Sequence, residues 1–146
     1  MGFDALKRWK ITRVANSAVA AQTAVDSSIV DMQGYDGVLF LAALGDVTLN
    51  SVLTLTAQQN VINSATGMAA IGNTVARTAG ATDSDNGLLV LDVRKPRERY
   101  VRVSLTRTAA NAVVDGIFAL QYGAGNMPTT HDASVLVTAL LTSPSE

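Results

Sequence analysis

The chain has 146 residues, enough for one domain with a sizeable core. It has no cysteine, which excludes disulfides and thiolate metal sites, and its net charge of −1 leaves no whole-chain field aimed at nucleic acid. Hydrophobic residues make up 48% and charged residues 16%, so little polar surface is left to cover a monomer, and part of the surface is expected to be buried in an oligomer or larger assembly.

Met1 to Lys10 reads as either one helical turn or an extended arm, with Phe3, Leu6 and Trp9 at near-helical spacing. An exposed tail would leave the single Trp and a Phe in water, so an arm that docks is expected. Lys7, Arg8 and Lys10 are followed by no apolar block, so no signal peptide is expected, and Leu6 sits where a myristoylation pattern needs Ser or Thr. Ile11 to Ala15 reads as a first strand, Asn16 to Ala24 as a small polar loop, and Val25 to Met32 as strand-like. Gly34-Tyr35-Asp36-Gly37 signals a turn. Val38 to Leu44 is apolar on both faces, which favours a buried strand, is far too short for a membrane span, and ends at an expected Gly45-Asp46 turn.

Val47 to Gln58 alternates as a half-exposed strand or strand pair. Residues 60–86 hold several glycines and few large apolar residues, and read as a protruding loop or short hairpin with a weak strand at Thr74 to Thr78. Leu88 to Val93 is apolar on both faces and reads as another central strand. Glu98 to Arg107 alternates, with Val101, Val103 and Leu105 inward and Tyr100, Arg102, Ser104 and Thr106 outward. Ala112, Val114, Gly116, Phe118, Leu120 and Tyr122 read as one face of the next strand, with Asp115 and Gln121 on the other. Ser134 to Leu141 is again apolar on both faces. Seven or eight short strands with Gly- and Asn-containing turns predict an all-β, single-domain antiparallel β-sandwich or jelly-roll-like barrel with extended terminal arms. Its expected divisions are an N-terminal arm and first strand (1–15), a β-domain (16–130, variable at 60–86) and a C-terminal strand or arm (131–146).

Chemistry is sparse. His131, the single histidine, lies in a polar linker without the ligand set that a metal needs. Asp83, Asp85 and Gly87 hint at a calcium loop, but Gly87 arrives early and Arg94 occupies the position of the bidentate Glu, so a polar turn is the better reading. Gly123-Ala124-Gly125 starts a dinucleotide loop that Asn126, Met127 and Pro128 break. With one His, no nucleophile–base pair stands out. No catalytic residue, cofactor or metal is therefore expected, and the chain reads as a binding protein rather than an enzyme. Arg94, Lys95, Arg97, Arg99, Arg102 and Arg107 form a basic cluster opposed by Glu98. It reads as a protein contact or as charge that protects a strand edge, and not as a nucleic-acid grip.

Three stretches carry a further signal: Asp31 to Gly45 (DMQGYDGVLFLAALG), Leu89 to Arg102 (LVLDVRKPRERYVR) and Asn111 to Pro128 (NAVVDGIFALQYGAGNMP). In this order they resemble the head decoration proteins of tailed bacteriophages, small structural proteins that reinforce a capsid from outside. The resemblance runs roughly from Ile29 to Pro144 and is poorest over residues 60–86. It implies a virion protein on the capsid exterior, made in the host bacterial cytoplasm, whose expected partners are the major capsid protein and itself, as a homotrimer, with no nucleic acid and no membrane. The expected protein-contact residues are Phe3, Trp9, Arg94, Arg97, Arg99, Arg102, Val135, Val137, Leu140 and Leu141. The alternatives are a minor capsid or tail-associated virion protein and a carbohydrate-binding β-sandwich.

Overall fold

The computed structural model describes residues 5–144. They build an all-β sandwich of two antiparallel sheets. A single helical turn, α1 (Ala5–Arg8), leads into β1 (Lys10–Ala15) and β2 (Ala18–Ala21), then the short β3 (Val25–Asp26) and β4 (Val30–Asp31). The long strands follow: β5 (Gly37–Val47), β6 (Val52–Asn60), the short β7 (Ala69–Ala70) and β8 (Val75–Thr78), then β9 (Leu88–Arg94), β10 (Tyr100–Thr108) and β11 (Ala112–Tyr122). The first sheet runs β1-β11-β5-β9, with β2 also on β11; the second runs β3-β10-β6-β7, with β4 also on β10 and β8 also on β6.

Alternation along the strands fills the space between the sheets. Val38, Phe40, Ala42 and Leu44 of β5 meet Leu53, Leu55 and Ala57 of β6 and Val101, Val103 and Leu105 of β10 in one buried core. Two polar side chains bridge the sheets. Arg107, buried on β10, donates from Nε to Thr23 O (2.8 Å) and from Nη1 to Val19 O (2.8 Å) and Ala112 O (2.6 Å), while Nη2 reaches Thr23 Oγ1 (3.1 Å). Burial pulls its pKa down from the ordinary arginine value, yet guanidinium stays a cation at neutral pH, solvated here by carbonyls. Gln121, buried on β11, donates from Nε2 to Asp31 O at 2.9 Å.

Several expectations are corrected. Gly45-Asp46 is no turn: β5 continues to Val47 and absorbs the pair as a bulge, since Leu44 lies opposite Val114 and Val47 opposite Ala112. A second bulge leaves Asp115 unpaired between Val114↔Leu44 and Gly116↔Ala43. One extra residue exchanges the faces of a strand, so Ile117, Ala119 and Gln121 turn inward and Phe118, Leu120 and Tyr122 turn outward, against the single face read from alternation. Ala18–Ala21, expected within a loop, pairs with β11. Leu88 to Val93, expected as a central strand, belongs to β9, an edge that pairs with β5. Residues 69–78 fold back on β6 as the expected short hairpin, and Val75–Thr78 is the expected strand. Ser134 to Leu141, expected as a strand, has no ladder among the described residues.

The Arg107 bridge yields a stability test. Arg107→Ala leaves three carbonyls short of a donor and opens a cavity, and is expected to cost about 2–4 kcal/mol in urea unfolding. Arg107→Lys, which keeps charge but loses the fork, should recover part of that loss.

Candidate interaction surface

The basic segment 94–102 connects the edge strand β9 to the central strand β10. Its members separate once folded. Arg99 forks onto Asp31 of β4, with Nε and Nη2 each 2.8 Å from a carboxylate oxygen, and lies 5.1 Å from the Tyr100 ring centre. The Arg99 guanidinium holds the Asp31 carboxyl below its ordinary range, helped by the backbone N–H of Gln33. Both side chains are nearly half exposed, so water screens the pair. Arg102, half-buried, donates to Gln58 Oε1 at 2.8 Å on the polar outer face of the second sheet. Arg107 belongs to the interior, not to the cluster. Arg94, Lys95 and Arg97 are exposed, as Arg99 is. An open cleft beside them is lined by Met32, Tyr35, Asp36, Pro96 and Glu98.

Trp9 sits against the body of the protein, its ring centre 5.6 Å from that of Tyr122 and tilted by 41°. Gly37 makes room for this arrangement, because a Cβ there would strike the Tyr122 ring. Tyr122 donates its hydroxyl to Asp92 Oδ1 at 2.5 Å. Burial, and then this bond to a carboxylate, push the Tyr122 pKa up to about 12. Trp9, Tyr122, Asp92, Arg94 and Leu39 line a second open cleft. Phe3 lies outside the described residues.

The C-terminal segment divides in two. Residues 129–134 run beside β1 as a strap. Thr129 N–H donates to Lys7 O (2.9 Å), His131 Nδ1 accepts the Ile11 N–H (3.1 Å), Asp132 N–H donates to Ile11 O (3.4 Å), and Ser134 Oγ accepts the Arg13 N–H (2.9 Å). His131 thus serves as a backbone acceptor, a role that its sequence neighbours do not announce. Beyond Ser134 the chain leaves the body. Val135 is half-buried, whereas Leu136, Val137 and Leu141 are almost fully exposed and Leu140 more than half. Asp83 and Asp85, weighed as calcium ligands, accept the backbone N–H groups of Gly80 and Val47. Among the described residues no three carboxylate or imidazole side chains gather as a metal site, and no helix is long and apolar enough to cross a membrane.

No protein-family model matches the chain, and a search of curated proteins finds no relative. Among solved structures, one similar chain comes from Bacillus endospore appendages, a family of disulfide-linked pili; it is 16% identical, with a TM-score of 0.49 over 80% of this chain and 88% of that chain. Another is the Eiger TNF of S. frugiperda, 10% identical, with a TM-score of 0.39 over 85% of this chain and 96% of that one. At these values neither likeness bears on function.

Two measurements test the surface. Arg99→Ala should change stability by less than about 1 kcal/mol, as expected for a screened pair, with Arg102→Ala as comparison. A tyrosine pKa raised in the folded state adds stability below the ordinary value near 10, and that contribution fades as pH rises through about 12. Ultraviolet titration should show the last tyrosine to ionise missing in Tyr122→Phe, while Tyr35, also raised by burial, remains, and the variant should lose less stability than the parent on going from pH 9 to pH 12.

Proposed function

We propose that this protein is a virion structural protein that binds the outside of a phage capsid as an oligomer, a trimer in this reading, and stabilises the shell. The observation that carries the reading is the segment 135–142: an apolar, uncharged arm held at its root by the strap and exposed beyond Val135. An arm of this kind is costly in water and useful where a neighbouring protein covers it. The resemblance of the three sequence stretches supplies the biological setting. Arg94, Lys95 and Arg97 are the cations available to meet acidic groups on the major capsid protein, and many such contacts per shell add up. A carbohydrate-binding β-sandwich is a second reading, supported by Trp9 and Tyr122 beside Asp92 in an open cleft.

Incubation with expanded, undecorated heads tests the proposal. Binding should saturate at a fixed number of copies per head and raise the temperature at which heads rupture. Binding to glycans with none to heads would move the protein to the second reading. A steeply salt-dependent grip on DNA, lost in Arg102→Ala, would instead point to contact with the genome.

A further inference from the structure

The two outer faces of the sandwich differ in kind. On the second sheet, cross-strand pairs expose Thr54 with Thr106, Thr56 with Ser104, and Gln58 with Arg102, all able to bond water. On the first sheet the corresponding rows are apolar. Ile11, Leu120 and Leu39 lie side by side and end at Asp92; Phe118, Leu41 and Val90 form the next row, with Arg13 at its β1 end; Ala43 and Leu88 follow. Leu88 is 58% exposed and Val90 44%, while Leu39, Leu41, Phe118 and Leu120 remain partly open. The Arg13 guanidinium lies 5.4 Å from the centre of the Phe118 ring, at the margin of this patch.

We infer that the outer face of the β1-β11-β5-β9 sheet is the contact surface for a second copy of this chain, and that it receives the C-terminal arm of that copy. The inference deepens the proposed function and rests on its reading of the chain as an assembly protein. Three observations select this occupant. First, the arm leaves from the β1 edge, where Ser134 holds Arg13, whereas the most exposed part of the face, Leu88 and Val90, lies at the opposite β9 edge. Donor and acceptor at opposite edges suit a head-to-tail ring. Second, Arg13 and Asp92 stand at these opposite edges, so the same arrangement brings unlike charges toward one another. Third, the sizes agree. Four strands about 4.8 Å apart and six residues of about 3.3 Å make a face of roughly 400 Å². A stable interface takes about 800 Å² per partner, so the face is too small alone and the arm supplies the remainder. Residues 134–141, extended, reach about 26 Å, more than the width of the sheet.

The natural chain lacks cysteine, so single engineered thiols report contacts cleanly. Val90→Cys and Leu140→Cys variants are purified, mixed, left to exchange subunits and oxidised. A disulfide joining the two different variants is expected, at least tenfold above the yield with Thr56→Cys in place of Val90→Cys, since Thr56 lies on the opposite outer face. Light scattering of Leu41→Glu, checked by circular dichroism for native strand content, should show a folded monomer at concentrations where the parent is an oligomer. A parent that is monomeric at micromolar concentration would overturn the inference, as would cross-linking no better than the Thr56→Cys control. So would a Val90→Cys/Leu140→Cys double variant that closes within one chain. Cross-linked rings that ignore heads would sink the proposed function and leave this interface standing. Head binding by a monomer would do the reverse.

Discussion

Nine register pairs between β5 and β11 hold the centre of the first sheet, and most of what is distinctive here follows from that ladder. Both strands are apolar on both sides. One set of side chains, including Phe40 and Ile117, is buried in the core. The other set, Leu39, Leu41, Phe118 and Leu120, has nowhere to go but outward, because side chains alternate and the core takes only one side. The paired bulges at Gly45-Asp46 and Asp115 adjust the register so that Val47 and Ala112 close one end of the core while Phe118 and Leu120 surface at the other. The side chains that build the core and those that leave the outer face apolar therefore alternate along the same two strands.

Apolar packing between two sheets is permissive, since it fixes their separation better than their relative position. The two polar bridges add direction. Arg107 draws β10 of one sheet toward Ala112 and Val19 of the other, and Gln121 ties β11 to the backbone at Asp31. They sit near opposite ends of β11, so the sandwich is pinned at two separated points. Because the partners are mostly backbone carbonyls, these links constrain where the chain runs rather than which side chains it carries.

Strand content and fold class were legible in the sequence because alternation and turn residues report local burial. Clean cases such as Val101, Val103 and Leu105 against Arg102 and Ser104 read correctly, since one side of that strand meets water. Position within the sheet was not legible. Leu88 to Val93 has the composition of a central strand and lies at an edge, because apolar side chains left open at a sheet edge look in sequence like those that the fold covers. Bulges are equally silent: neither Gly45 nor Asp115 differs from an ordinary turn or strand residue, yet each shifts the pairing that follows. The basic cluster dissolved for a related reason. Sequence proximity put six cations together, and the alternation of β10 sent Arg107 inward and Arg102 outward.

The strap along β1 also governs how sheets of different molecules can join. Its side-chain and backbone groups occupy the Ile11 and Arg13 positions that an incoming strand would use, so the β1 edge is closed to pairing. The β9 edge remains open, but it finds no complementary β1 edge on another molecule. Edge-to-edge pairing through the first sheet is then restricted to β9 against β9, a twofold contact that uses up both open edges of that sheet at once. A chain with this much exposed apolar surface is thereby kept from growing into fibres through its first sheet.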